Sequence, residues 1–387
     1  MNRFLPTVGP LLLSACIGPH DADSANIRID SDQITWESPQ GDLWEIVDVL
    51  ERDGVVWVLT STDPFVHGYQ QGAEVVSFGS QGDGPNELRS ARALVDLGGD
   101  GEITVWDAAS RLYRTFSATG SLVLTRDAGR LGTVRGDIDL VTFGDALRVA
   151  ATMEGTVRAE YRGTVESGGG LWTGMLARID DEGGFEHVVD FADLRGASRV
   201  DLGAGTVLVP VPLWDVCPDH RIVLLDPIDR HIYLVGSSWG ERDSVSVPWD
   251  VRPITRMDRL GYLRSQMEAE FRGQQLDDSE IRPILERAEA GSRDQFATST
   301  PLGVDIRCAE GRVWIQEFDG SAHPLGFGWR WRTITLAGHA PVYSQVALPP
   351  GFRPYRISES QLLGVVTDSI GLQRVASILI PSSLRSP

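Results

Sequence analysis

The chain has 387 residues and a formal net charge of −19 at pH 7, and all 35 of its basic residues are arginine. Hydrophobic residues make up 42% and charged residues 23%, an ordinary balance for a globular protein that argues against disorder as its main state. An acidic chain without a basic tract lacks the charge that supplies most affinity for nucleic-acid phosphates, so we expect no nucleic-acid partner.

The first 15 residues are typical of an export signal. Arg3 precedes a mainly apolar stretch, 4–13, which is shorter than the roughly 20 residues that a membrane-spanning helix needs. Leu13, Ser14, Ala15 and Cys16 then resemble a bacterial lipobox. The alternative is an ordinary signal peptide followed by an incidental cysteine.

The lipobox resemblance implies that Cys16 becomes the lipidated first residue of the mature chain. It makes residues 1–15 a lipoprotein signal peptide and 16–26 a tether, and it makes the lipid bilayer a partner. Ile17 follows the cysteine in place of an aspartate. This implies a place in the bacterial cell envelope, at the outer membrane and facing the periplasm.

A turn followed by an apolar strand recurs along the rest of the chain. Its six copies are 53–59, 100–107, 144–150, 219–226, 310–316 and 360–366. Four strands in about 40–50 residues is the size of one propeller blade. We therefore predict an all-β fold, a six-bladed β-propeller over 27–387. Its blades should lie near 43–80, 90–127, 138–191, 199–248, 303–348 and 353–380. A pair of β-sandwiches is the alternative architecture.

The last blade is short, with room for about three strands. We predict that segment 33–37 supplies its missing outer strand. This pairing would join the two ends of the chain and leave no open sheet edge.

A helical insertion is predicted at 253–298, between the fourth and fifth blades. An apolar stripe at spacings of three and four marks a first helix, with the members Met257, Leu260, Leu263, Met267 and Phe271. The charged residues Arg256, Asp258, Arg259 and Glu268 should occupy its wet side. A second helix should start near Pro283 and stop before Gly291. The pair should pack on one face of the propeller, either as a structural cap or as a lid over the channel.

Two cysteines besides Cys16 occupy matching places before the recurring strand. They are Cys217 and Cys308, in the fourth and fifth predicted blades. An exported compartment permits a disulfide. Equivalent turns of neighbouring blades, however, usually lie farther apart than the roughly 7 Å that a bond allows between Cα atoms. The sequence leaves open both a disulfide and two buried thiols.

The segment 78–88 resembles the loop that closes the first blade in bacterial six-bladed propeller lipoproteins, a mostly uncharacterised family related in shape to NHL-type propellers. Gly82, Gly84, Pro85 and Glu87 match its pattern. The glycines permit positive φ, the proline fixes the bend, and Glu87 can accept backbone hydrogen bonds. We expect a structural role for this loop rather than a ligand-binding one.

Catalytic patterns are missing from the sequence. The only asparagines are Asn2, Asn26 and Asn86, too few for an asparagine-built calcium site, and the seven histidines are scattered. No nucleophile elbow or nucleotide-binding motif occurs. We therefore predict no catalytic residue, metal or cofactor.

The leading hypothesis is a non-catalytic binding or scaffolding module for an envelope protein, peptide or glycan. The competing hypothesis is a hydrolase or lyase that acts in the channel on a small exported substrate.

Overall fold

The computed structural model describes most of the chain from residue 25 onward. The described residues are 25–39, 43, 45–95, 101–127, 133–135, 140–143, 148–151, 157–165, 172–179, 185–190, 208, 212–219, 221–226, 230–236, 242–270, 278–309, 311–318, 330–336, 341–368 and 371–385. The predicted signal and Cys16 lie outside these ranges.

The chain enters the fold through two short strands, β1 (Ala25–Arg28) and β2 (Ile34–Trp36). The first sheet contains β3 (Ile46–Arg52), β4 (Val55–Thr60), β5 (Val66–Gln70) and β6 (Ala73–Phe78). A parallel two-stranded ribbon follows, made of β7 (Ser80–Gln81) and β8 (Glu87–Leu88). The second sheet contains β9 (Ala91–Val95), β10 (Ile103–Asp107), β11 (Leu112–Phe116) and β12 (Leu122–Asp127).

The third sheet contains β13 (Thr133–Arg135), β14 (Leu140–Phe143), β15 (Arg148–Ala151), β16 (Val157–Val165), β17 (Trp172–Ile179) and β18 (Phe185–Asp190). The fourth contains β19 (Leu213–Val216), β20 (Ile222–Asp226), β21 (His231–Val235) and β22 (Arg242–Ser246). The helices α1 (Arg256–Glu270) and α2 (Asp278–Ser292) come next.

The fifth sheet contains β23 (Asp305–Ala309), β24 (Arg312–Gln316), β25 (Arg330–Thr335) and β26 (Val342–Ala347), and β1 joins its outer edge. The sixth contains β27 (Phe352–Ile357), β28 (Gln361–Thr367) and β29 (Gln373–Leu379), and β2 is its fourth strand. The fold is thus an all-β propeller with one helical insertion.

Five of the sheets are regular propeller blades, and the third is not. The expectation of six similar blades is therefore corrected to five. The cause is the length of β16, which has nine residues where most blade strands have five or six. Its first part, 157–160, pairs with β15, and its last part, 163–165, pairs with β14. One edge of β16 thus carries two partners, and the sheet grows to six strands.

The innermost strands follow one another around a central axis. β3 contacts β9 and β27, β15 contacts β9 and β19, and β23 contacts β19 and β27. Apolar clusters fill the spaces between neighbouring blades. Two of the tryptophans of the recurring strand, Trp57 and Trp314, are buried there. Each large apolar side chain buried in this way contributes about 1.5–3 kcal/mol.

The two N-terminal strands close the structure. β2 pairs antiparallel with β29, with Ile34 opposite Ile378, and so completes the sixth blade at the place that the short last blade predicts. β1 pairs parallel with β26 and was not expected. It begins at Ala25, inside the segment predicted as a tether.

The helical insertion differs from its prediction on three points. Met257, expected on the apolar stripe, is 72% exposed, and Asp258, expected on the wet side, is buried. Each helix packs mainly against the other helix rather than against a blade. α2 starts at Asp278 and contains both Pro283 and Gly291. Phe271 lies outside the described residues.

No described helix is long and apolar enough to cross a membrane.

A cap at the start of α1 explains the orientation of its first turn. Asp258 accepts hydrogen bonds from the Thr255 backbone N–H (2.8 Å) and hydroxyl (2.7 Å), while Thr255 Oγ1 accepts from the Asp258 N–H (3.3 Å). Both guanidinium nitrogens of Arg252 donate to the same carboxylate. This capping box turns Asp258 inward and leaves Met257 facing solvent.

A second ion pair joins the two helices. The Arg259 guanidinium donates to Glu289 Oε1 at 2.8 Å, and both side chains are largely buried. The hydrogen bond from Arg259 lowers the pKa of Glu289 below its usual value. At the base of the insertion, the N–H groups of Ile254 and Thr300 donate to the carbonyls of Thr298 and Arg252. The insertion therefore leaves and re-enters the propeller at one point.

Deletion of residues 26–40 should destabilise the propeller strongly. The deletion removes β2 and most of β1, leaves the outer edges of β26 and β29 unpaired, and takes the buried Ile29 out of the core. We expect a loss of about 3 kcal/mol or more, measured by thermal and urea unfolding. A deletion of 17–24 is the control and should change little. Equal melting of the parent and the 26–40 deletion would contradict closure by these strands.

The α1 cap should weaken in acid. Burial alone would raise the pKa of Asp258, but hydrogen bonds from Arg252 and Thr255 outweigh it and lower the pKa from 3.8 to about 2. The ionised Asp258 carboxylate therefore stabilises the folded state above pH 4, and this stabilisation is lost as the pH falls towards 2. Asp258→Asn should cost about 2 kcal/mol at pH 7 and much less at pH 2. Urea unfolding followed by far-UV circular dichroism measures both values.

Glu286→Gln is the control for this measurement, since Glu286 is exposed and pairs with Arg282 on the same helix. Its effect should be small at both pH values. A cost of Asp258→Asn that did not change with pH would show that the carboxylate charge is not what holds the cap.

Candidate functional site

Asp48 on β3 connects three innermost strands at the centre of the molecule. Its Oδ1 accepts the N–H of Val49 (2.9 Å), and its Oδ2 accepts the N–H of Leu94 on β9 (2.9 Å) and Nη2 of Arg356 on β27 (3.0 Å). Arg356 Nη2 also donates to the Leu94 carbonyl at 3.2 Å. One carboxylate thus holds the first, second and sixth sheets together.

A related arrangement joins the fourth and fifth sheets. Asp215 Oδ2 on β19 accepts the N–H of Cys308 on β23 at 2.9 Å. On β23, Arg307 pairs with Asp305 at 2.8 Å, and Asp305 Oδ1 accepts the N–H of Ile306. Burial alone would lower the pKa of Arg307, but the carboxylates of Asp305, Asp215 and Asp48 outweigh it and raise the pKa. These carboxylates brace neighbouring innermost strands.

Sequence reasoning missed this central group of charged residues. Asp48 and Asp215 each lie between apolar residues just before a copy of the recurring phrase, as in Ile46-Val47-Asp48-Val49-Leu50. A charged residue at a core position of a strand needs a partner, because an unpaired buried charge is very costly. That pattern is the signal that could have found them.

The 78–88 loop is built around the Glu87 carboxylate. Glu87 Oε2 accepts the N–H of Gly84 at 2.7 Å, and the Glu87 N–H donates to the Gly84 carbonyl at 3.1 Å. A Cβ at Gly82 would overlap this carboxylate. Arg114 from β11 donates to the carbonyls of Gly84 and Glu87. The loop residues therefore bond to one another and to the second blade.

One detail of the loop prediction is corrected. Gly84 does not have the positive φ expected of it. A Cβ at this position would lie 3.0 Å from Glu87 Cδ, so the glycine provides space for the carboxylate rather than an unusual backbone angle. Pro85 follows it at the bend.

Cys217 and Cys308 are joined by a disulfide, and their Cα atoms are 4.8 Å apart. The distance argument from equivalent turns does not apply, because Cys308 lies within β23 and Cys217 directly follows β19. The innermost strands are where neighbouring blades are closest. The bond spans 91 residues of sequence, including the helical insertion.

A cleft of about 240 Å³ lies at the seam between the first and sixth blades. Its polar lining comes from three adjacent innermost strands and the ends of outer ones, and includes Glu45, Ser61, Arg92, Arg353, Tyr355 and Gln373. Sequence reasoning did not single out any of these residues, because they come together only when β27 meets β3 and β9.

Tyr355 is the fixed wall of this cleft. Its hydroxyl donates to the Ile46 carbonyl at 2.9 Å, and burial raises the pKa of Tyr355, so the phenol stays protonated. The Arg353 guanidinium lies over the Tyr355 ring at 5.0 Å. Gln373 Oε1 accepts the Ile46 N–H at 2.5 Å. Hydrogen bonds to the Ile46 backbone therefore hold the Tyr355 and Gln373 side chains in place within the cleft.

Within the part of the chain that the structure describes, no three acidic, histidine or cysteine side chains converge in a geometry that could hold a metal ion. The residues of the site predicted at the N-terminus, Leu13, Ser14, Ala15 and Cys16, lie outside the described residues.

No family model and no curated protein matches the chain. Among solved structures, it is similar to a streptogramin B lyase at 9% identity and a TM-score of 0.43, covering 90% of this chain and 97% of the lyase. It is similar to a protein of Bacteroides fragilis named as exported, at 10% identity, TM-score 0.48 and coverage of 92% and 98%. A member of the DUF4221 family from Bacteroides vulgatus gives 8% identity, TM-score 0.47 and coverage of 90% and 97%. These values support no statement about activity.

Replacement of Asp48 should loosen the centre of the molecule. Asp48→Asn turns one acceptor oxygen into an NH₂ group that faces donors, so we expect a loss of about 2–4 kcal/mol. Asp250→Asn is the control, since Asp250 pairs with Arg230 in an exposed position and should cost under about 0.5 kcal/mol. Urea unfolding midpoints measure both. Equal shifts for the two variants would contradict the bracing role of Asp48.

Proposed function

We propose that this protein is a non-catalytic binding or scaffolding module, held at the bacterial cell envelope by a lipid on Cys16. The observation that carries the proposal is the use of the central carboxylates. Asp48, Asp215 and Asp305 each bond to backbone N–H groups or arginines of the innermost strands. These carboxylates hold the innermost strands of neighbouring sheets together. A ligand would therefore bind to side chains outside this central group.

The competing function, a hydrolase or lyase in the channel, needs a side chain that can exchange protons or hold a metal, such as a carboxylate. For Asp48 or Asp305 to take either role, its carboxylate would have to leave the bonds that brace the blades. The binding role requires no such change, since the seam cleft already presents arginine and amide groups outside the braced centre.

In this proposal, the third sheet joins the ring between the second and the fourth sheets. β15 contacts β9 of the second sheet and β19 of the fourth, so it takes the innermost position between them. A closed ring leaves only short, protected sheet edges, as expected for a propeller.

The proposed location in the cell envelope rests on the sequence of residues 13–16, where small residues precede a cysteine at the end of an apolar stretch. Two or three acyl chains on Cys16 would anchor the protein firmly, where one chain binds weakly. The outer membrane, with the propeller facing the periplasm, is the proposed place. The partner is an envelope protein, peptide or glycan.

Cys16→Ser tests the anchor. The variant should lose incorporation of labelled fatty acid and either leave the membrane fraction or stay uncleaved there, whereas the parent should be labelled and sediment with outer membranes. Asp250→Asn is the control, since it changes an exposed side chain and leaves Cys16 and the Cys217–Cys308 disulfide intact. Unlabelled parent protein, or a fully labelled Cys16→Ser variant, would overturn the proposal.

A further inference from the structure

The seam cleft has the composition of a site for a singly charged anion. Arg92 is the second residue of β9 and Arg353 the second residue of β27, and both line the same space beside β3. Glu45 is the acidic residue of the lining, and it accepts a hydrogen bond from Ser61 at 2.6 Å. Two arginines and one glutamate give the lining more positive than negative side chains, with one cation in excess.

We infer that this cleft recognises a carboxylate attached to a small apolar group, as presented by the C-terminus of a peptide. The inference rests on the proposed binding function and names the class of its ligand. A guanidinium presents paired N–H donors that match the two oxygens of a carboxylate. The single net positive charge suits a carboxylate better than a doubly charged phosphate.

The position of Arg353 favours tight recognition. Its guanidinium lies over the ring of Tyr355, and the Tyr355 hydroxyl is bonded to the Ile46 carbonyl. An arginine that is already ordered loses less side-chain freedom when it binds a ligand. Arg92, by contrast, is exposed, and no hydrogen bond or ion pair joins it to another described residue. It is the donor that can close over a ligand.

The remaining walls of the cleft suit an aliphatic side chain. Val47 and Val365 line it together with the Tyr355 ring. Its volume of about 240 Å³ lies below the roughly 300–1,000 Å³ of sites that enclose drug-sized ligands. One terminal residue therefore fits, and the rest of a peptide would continue outside over the blade surface.

The test is direct binding to the detergent-solubilised full chain. The probe is a fluorescein-labelled Gly-Gly-Val peptide with a free C-terminus, followed by fluorescence anisotropy. The same peptide with an amidated C-terminus is the first comparison, and we expect it to bind about ten- to a hundredfold more weakly. Unlabelled isobutyrate and inorganic phosphate serve as competitors. Competition by isobutyrate as strong as that by unlabelled peptide would assign the site to free small carboxylates, with the same chemistry.

Three variants locate the binding. Arg353→Gln and Arg92→Gln should each weaken the free-carboxylate peptide about tenfold or more and leave the amidated peptide unchanged. Arg353→Lys should fall between, because lysine keeps the charge but not the paired donors. Arg282→Gln, on an exposed part of α2, is the matched control and should bind as the parent does. Far-UV circular dichroism checks folding, and Arg92→Gln keeps the test valid if Arg353→Gln misfolds.

The outcomes separate this inference from the proposed function. No binding of the peptide, equal binding of its amidated form, equally strong competition by phosphate, or parental binding by both arginine variants would overturn the carboxylate site. A glycan or an amidated peptide that bound elsewhere would still leave a binding module. Conversely, mass spectrometry that showed cleavage of the bound peptide would end the non-catalytic proposal while the site remained.

Discussion

The structure depends on how Asp48 is held. Its two oxygens accept from the first sheet, the second sheet and the sixth sheet, and the last of these donors is Arg356, which lies 308 positions further along the chain. In a propeller the innermost strand of each blade has a neighbouring strand on one edge only. Its backbone N–H groups therefore cannot all pair within the blade. A carboxylate at this depth satisfies them, and an arginine then balances its charge. The cost of burying an ion is offset only when all its partners are present, so the centre forms as a unit.

The recurring phrase predicted the blades because it combines local and tertiary signals. A turn residue followed by a run of apolar residues such as Val55–Thr60 forms the second strand of a blade, which is buried on both faces. The N-terminal closure was also predictable, because a three-stranded last blade needs a partner. The third sheet was not. Whether β16 pairs with one strand or two along its edge depends on its length. The sequence of 157–165 contains no proline that would predict where the strand ends.

The errors in the helical insertion have a different origin. Helical spacing of apolar residues fixes which residues share a face, but not which face is covered. Thr255 and Asp258 have the spacing of a capping box, and reading it would have placed Asp258 inward. The seam cleft could not be found in this way. Arg92 and Arg353 are 261 positions apart, and only the meeting of β9, β3 and β27 brings them to one surface.

The absence of lysine from the sequence gives these contacts a common character. Guanidinium groups lie over aromatic rings at three described places, with Arg332 over Trp249, Arg353 over Tyr355 and Arg374 over Trp36. An ammonium group would offer neither the flat face nor the paired donors. A chain whose every cation is arginine can therefore use the same residue to brace its centre and to present ordered donors at its surface.

The net charge of −19 does not conflict with an anionic ligand. At physiological ionic strength the Debye length is about 8 Å, so exposed carboxylates farther away contribute little at the seam cleft. The charged residues that line the cleft are Arg92, Arg353 and Glu45, two cations and one anion. The distant acidic surface would instead slow the approach of an anion, an effect that salt relieves, whereas salt weakens the contact with the arginines. For a carboxylate ligand of this cleft, the association and dissociation rates should therefore both rise with salt, and the affinity should change less than either rate.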